Sequence, residues 1–122
     1  MASYTGVDII EIDRIARAVE RWGQRFLSRV YTEAELNLCR RKPPSLAVRF
    51  AGKEAVMKLL GTGARGVSWR EIEILAHPSG KPLLNLYGRA QDEAGRLSLT
   101  GIDVSLSHSR EYAIAAAVGT SS

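Results

Sequence analysis

The chain has 122 residues and a mass of 13.3 kDa, with 45% of residues apolar and 25% charged, a globular composition that excludes disordered, collagenous and repeat proteins. Its 17 lysines and arginines outnumber 13 acids, giving a formal charge of +4 and a pI near 9.6, so an anionic partner is expected: nucleic acid, a phosphorylated small molecule or an acidic protein. A single cysteine, Cys39, excludes an internal disulfide framework and a cysteine-built zinc finger.

At ~100–200 residues per domain, residues 1–122 are expected to form one domain. The opening segment MASYTGVDIIEIDRIAR carries acids early and has no basic leader, and no apolar run reaches the ~18 residues of a membrane span. A soluble cytoplasmic protein is therefore expected. Thr5 to Ile12 is rich in β-branched residues and reads as a strand, with Val7 and Ile9 on one face and Asp8 and Ile10 on the other. Asp13 is placed to cap a helix through Ile15, Val19 and Trp22, with Arg14, Arg17, Arg21 and Arg25 largely on the opposite side, and Gly23 is placed to end it. Thr32 and Glu35 have capping-box spacing, which predicts a short helix from about Glu33 to Arg41.

Pro43-Pro44 stops that helix, and Ser45 starts the longest one, to about Leu60, with Gly61 where a left-handed cap is expected. Gly52 in its middle costs ~1 kcal/mol against alanine, which suggests close backbone packing. Beyond the glycine-rich stretch Gly61 to Gly66 the period changes to two. Trp69 to Ala76 sets Ile72, Ile74 and Ala76 against Glu71 and Glu73, a turn follows at His77-Pro78-Ser79-Gly80, and Pro82 to Tyr87 returns. Arg89 to Leu97 is expected as a short polar helix, and Ile102 to Ser107 and Tyr112 to Val118 as strands. The last strand is small and apolar on both faces, which predicts cover on both sides, and a neighbouring subunit is one candidate for the second cover.

Three groups of residues carry chemistry. Aspartate is unfavourable in strands, so Asp8 is either an edge charge facing water or a functional carboxylate. Glu54 and Lys58 lie four apart on one helix and, by spacing alone, form an ordinary surface ion pair worth ~0.3–0.5 kcal/mol. Arg40, Arg41, Lys42 and Arg49, with the glycines that follow the helix, suit a phosphate, because glycines let backbone amides approach and guanidinium groups chelate it. No Gly-Lys-Ser/Thr follows, so this is not a Walker loop. His108 follows Leu106 on the apolar side of its strand and reads as a packed core histidine or a donor to phosphate. His77 reads as a turn residue, Cys39 has no evident reactive partner, and no nucleophile elbow is present.

Together these residues resemble the holo-acyl-carrier-protein synthases, the small bacterial type of 4′-phosphopantetheinyl transferase. The family's opening Gly-x-Asp, apolar strand and Arg-Ile correspond to Gly6 to Ile15. Its Arg-Phe-Ala-x-Lys-Glu-Ala-x-x-Lys and Gly-Thr-Gly correspond to Arg49 to Lys58 and Gly61 to Gly63. The Ser-Gly-Lys-Pro turn is Ser79 to Pro82, and the closing Ser-x-Ser-His-Ser-x-x-Tyr-Ala is Ser105 to Ala113. The likeness spans about Thr5 to Val118. Gly52 departs from it, since the family usually has a small non-glycine residue there.

The resemblance implies an α+β fold, a mostly antiparallel sheet packed on one long helix. It implies transfer of the phosphopantetheine arm of coenzyme A to a serine of acyl carrier protein, in support of fatty acid or polyketide synthesis. Asp8 and Glu54 would hold Mg²⁺, which prefers one or two carboxylates plus phosphate oxygens and water. Glu54, or a water it holds, would be the base, and Lys58 would steady Glu54 or neutralise the phosphate. Arg41, Lys42, Arg49, Gly61, Thr62, Gly63, Pro82, Ser107 and His108 would surround coenzyme A, and Arg14, Arg21 and Arg25 would dock the acidic carrier. The resemblance also implies a homotrimer with coenzyme A bound where subunits meet. A nucleic-acid-binding domain would explain only the charge, and a coenzyme A-binding subunit without turnover would leave Asp8, Glu54 and Lys58 without a purpose.

Overall fold

Strand β1 (Ser3–Glu11) passes into helix α1 (Ile12–Trp22) with no loop between them. The computed structural model describes residues 1–61 and 66–122. The cap position of α1 is Glu11, whose side chain makes no capping hydrogen bond; instead the Ile12 N–H donates to the Glu111 carbonyl at 2.8 Å. Asp13, expected as the cap, sits in the first turn and pairs with Arg17 at 2.8 Å. Gly23 ends α1 at φ 53°, its N–H donating to Val19 O. A helix that the sequence reading did not anticipate follows: α2 (Gln24–Val30), seven residues anchored by buried Leu27 and Val30. Two turns are too few for a 3.6-residue period to declare itself.

Helix α3 (Glu33–Cys39) starts on the expected capping box, with the Glu35 N–H donating to Thr32 Oγ1 and the Thr32 N–H to Glu35 Oε1. It stops short of Arg41 because Arg40 and Arg41 both take left-handed backbone, φ 49° and 58°. Helix α4 (Pro43–Leu60) begins two residues earlier than expected. Its prolines occupy the first positions, where a missing N–H goes unneeded. Gly61 closes it in the expected left-handed conformation, φ 77°.

The Trp69–Glu71 segment is a 3₁₀ turn rather than the start of a strand. Strands β2 (Ile72–Ala76) and β3 (Pro82–Leu86) form an antiparallel hairpin. After α5 (Gly88–Arg96), strands β4 (Leu99–His108) and β5 (Tyr112–Ser121) complete a second antiparallel sheet in the order β1-β5-β4. The fold is thus the expected α+β arrangement, its antiparallel strands divided into two sheets rather than one. Helix α4 is apolar nearly all round and buried, as a helix enclosed by other elements must be. Gly52 shows how tightly: a Cβ there would lie 2.5 Å from Ile74 Cδ1 of β2 and 3.1 Å from Leu106 Cδ2 of β4.

Strand β5 alternates strictly. Ala113, Ala115 and Ala117 are buried on the helix side, while Tyr112, Ile114 and Val118 are exposed at 45, 42 and 50%. On the same face of β1 stand Val7, in register with Ala116, and Ile9, in register with Ile114, exposed at 57 and 60%. Among the described residues, none supplies the second cover predicted for this strand. Among the described residues no helix is long and apolar enough to cross a membrane.

Candidate functional site

The site begins with a glycine. A Cβ on Gly6 would overlap the Ala55 carbonyl oxygen, so only glycine lets β1 lie directly on α4. Two residues on, Asp8 faces the same side, in register with Ala115 and Leu106. Lys58 Nζ lies 3.0 Å from Asp8 Oδ1 and donates to the Val7 carbonyl at 2.9 Å, a contact between residues fifty apart in sequence. The ion pair expected between Glu54 and Lys58 does not form; Lys58 pairs with Asp8 instead, because packing brings a second carboxylate within its reach. Partial burial and the nearby Asp8 carboxylate push the Glu54 carboxyl above the ordinary glutamate range, and Lys58 works weakly against them.

A glutamate whose proton affinity is raised by a neighbouring aspartate marks a donor set for a cation. Among the described residues no cluster of three or more histidines, cysteines or acids could enclose an ion by itself. The pair therefore suits a hard ion such as Mg²⁺, which keeps several water or phosphate oxygens in its shell, rather than an ion needing a full protein cage.

The other expected residues are dispersed. Gly61 caps α4 one turn beyond Lys58, while Thr62 and Gly63 lie outside the described residues. Arg41 and Lys42 are exposed at the opposite end of α4, ~24 Å from Lys58 at 1.5 Å rise per residue. Arg49 is buried, its Nε donating to Ile74 O at 2.9 Å and its Nη1 to the Ser45 carbonyl and hydroxyl at 3.2 and 3.0 Å. His108 is exposed, not packed in the core. It shares the helix-facing side of the sheet with Asp8, and its Nδ1 lies 3.1 Å from Ser109 O. Ser107 faces the opposite, uncovered side, in register with Ile114 and Ile9. Pro82 lines a cleft on that same uncovered side with Ser105, Ala116 and Val118. Arg14, Arg21 and Arg25 are exposed on α1 and α2; Arg21 lies over the Trp22 ring at 5.0 Å, beside a cleft formed by Trp22, Arg25, Phe26 and Arg29.

A family model described as the 4′-phosphopantetheinyl transferase superfamily matches residues 4–117. The chain belongs to that superfamily. Its relatives include holo-[acyl-carrier-protein] synthases from Dehalococcoides mccartyi (55% identical over 94% of this chain and 96% of that one) and Herpetosiphon aurantiacus (55% identical, with the same coverage). Among solved structures, the Helicobacter pylori holo-[acyl-carrier-protein] synthase in complex with coenzyme A superposes with a TM-score of 0.87 at 33% identity, covering 95% of this chain and 99% of that one. The Bacillus anthracis holo-(acyl-carrier-protein) synthase in complex with coenzyme A (3′,5′-ADP) superposes at 0.81 and 34% identity, covering 98 and 96%.

In this transferase chain, one buried polar system behind the carboxylates escaped the motif reading. Lys53, adjacent to Glu54, is fully buried and donates to Glu35 Oε1 at 2.8 Å, to Trp69 O at 3.0 Å and to Ile72 O. Burial pulls its ammonium down and Glu35 opposes that pull. Glu35 Oε2 accepts from the Ile74 N–H, and Glu73 accepts from Thr32, Asn85 and Tyr87. Burial of Glu73 works against its charge, but those three hydrogen bonds outweigh it and hold its carboxyl below the ordinary range. The network ties α3 and the β2–β3 hairpin to the middle of α4. The signal was present in the sequence: a lysine inside a helix apolar on every side must find an acid. Which acid was not legible.

Proposed function

We propose that the chain transfers the 4′-phosphopantetheine group of coenzyme A to a serine hydroxyl of an apo-acyl carrier protein, releasing adenosine 3′,5′-bisphosphate. It would do so as a single cytoplasmic domain serving fatty acid or polyketide synthesis. The observation that carries this reading is the convergence of Asp8, Glu54 and Lys58 at the β1–α4 contact in a chain of this family. Asp8 and Glu54 would hold Mg²⁺, which when bound withdraws charge from the pyrophosphate. Glu54, with its raised proton affinity, is suited to take the serine proton, directly or through a water. Lys58 places a cation on a flexible stem where charge grows on the leaving phosphate.

Coenzyme A would be held by Arg41, Lys42, Arg49, the Gly61 to Gly63 segment, Pro82, Ser107 and His108. Arg49 is oriented in advance by Ile74 and Ser45, which favours its guanidinium for a phosphate. Arg41 and Lys42 stand far from the carboxylates of their own chain, and Ser107 and Pro82 border its uncovered sheet face. Both placements favour a site completed by a second copy, hence a homotrimer with the ligand between subunits. Arg14, Arg21 and Arg25 would steer the acidic carrier, since exposed charges govern encounter more than holding.

The test mixes the protein with coenzyme A, Mg²⁺ and apo-carrier and weighs the carrier. A gain of one phosphopantetheine mass, abolished by chelator, is expected; a carrier of unchanged mass would refute the reading.

A further inference from the structure

We infer that Lys58 is the resting occupant of the cation site. In the cation-free protein its ammonium holds Asp8, and it passes to a coenzyme A phosphate when a divalent cation takes that carboxylate, so Lys58 couples the binding of cation and coenzyme A. The inference rests on the transferase reading above and adds to it how the site is loaded.

A helical lysine leans toward the preceding turn, where Glu54 stands. Lys58 nevertheless takes Asp8, at 3.0 Å, and fixes its ammonium with the Val7 carbonyl at 2.9 Å. Asp8's side chain is 18% exposed and that of Lys58 is 51% exposed, so the ammonium reaches in from the rim over a largely covered carboxylate. Without it, the largely covered Asp8 carboxylate would have no countercharge from Lys58. A divalent ion seated on Asp8 would repel an ammonium 3 Å from the same oxygen, so the two compete for one acceptor. The four-carbon stem lets the displaced ammonium swing outward, where a coenzyme A phosphate drawn in by the same cation would offer it a new anion.

The consequence is linkage. Cation binding to the free protein carries the cost of breaking the Lys58–Asp8 pair, whereas with coenzyme A present the freed ammonium gains a new partner. Each ligand should therefore tighten the other by the same factor, and removing the ammonium should shrink that factor. A lysine that merely adds positive charge nearby would weaken cation binding equally with and without coenzyme A.

The experiment measures Mg²⁺ and Mn²⁺ affinity by calorimetry on the whole protein and on Lys58→Met, with and without coenzyme A and with no carrier present, so that no turnover intervenes. Lys58 is half-exposed, and its replacement leaves the core untouched. The variant should bind either cation about two- to fivefold tighter in the absence of coenzyme A, the scale of a partly exposed ion pair, and no tighter in its presence. Equal affinity of the two free proteins, or equal tightening in both states, would overturn the inference. If the wild type loads its carrier and those results still fail, this inference alone falls. If the wild type neither loads a carrier nor binds a cation, the transferase reading falls and this falls with it.

Discussion

Glu54 favours its proton in the folded chain, because partial burial and the Asp8 carboxylate both disfavour its charge. Its folded pKa lies above the unfolded one. The stabilisation that follows is complete below the unfolded value and is lost as pH rises through the folded value. Glu54→Gln, which removes the charge, should therefore raise the melting temperature at neutral pH and lose that advantage below the ordinary glutamate value of about 4.3. Thermal melts across this range check it, and an advantage independent of pH would contradict the electrostatic cause. Lys58→Ala should lower the transfer rate by ~10²–10³, the cost of removing one fixed electrostatic donor, and single-turnover kinetics showing less than a tenfold loss would reject that role.

Among the elements, the contact of β1 with α4 builds the site. Gly6→Ala places a methyl group on the Ala55 carbonyl, and backbone cannot yield as a side-chain end can. Urea unfolding should show a loss of several kcal/mol, at the upper end for a single substitution, with Mg²⁺ affinity lost in any protein that still folds. Gly52 differs, since its nearest obstacles are the ends of Ile74 and Leu106 side chains, so the departure from the family pattern touches packing and not the carboxylates. Helix α1 follows β1 without a loop and carries Arg14 in its first turn. Arg14→Asp should raise the apparent KM for acidic carrier, with a weaker salt dependence, and leave coenzyme A affinity unchanged. Steady-state kinetics at two ionic strengths separate these, and an unaltered carrier KM would dismiss the docking role.

At the scale of the whole molecule, the face formed by Val7, Ile9, Ile114 and Val118 sets apolar side chains against water around Ala116. An apolar sheet face of this kind marks an interaction surface, and a self-complementary one is satisfied by copies of the same chain. Ile114→Asp alters that face without entering the core. Light scattering should find the wild type at a multiple of 13.3 kDa and the variant at the single-chain mass, with transfer activity reduced because the site loses its neighbour. A monomeric, active wild type would remove the argument.

Features set by near neighbours were legible in the chain itself. The Thr32–Glu35 capping box, the left-handed Gly61, the alternation of Val7, Asp8, Ile9 and Ile10 and the hairpin around Ser79-Gly80 each depend on residues a few positions apart. The family motifs likewise named the two acids and the lysine. The long-range pairings came only with the packed molecule. Lys58 takes Asp8 rather than its helical neighbour, Lys53 is buried with Glu35, and α1 starts on a carbonyl lent by Glu111. Such pairings depend on which backbones lie close enough for a charge to be shared. Gly6 on Ala55 and Gly52 between Ile74 and Leu106 settle those distances, and no local preference of the chain encodes them.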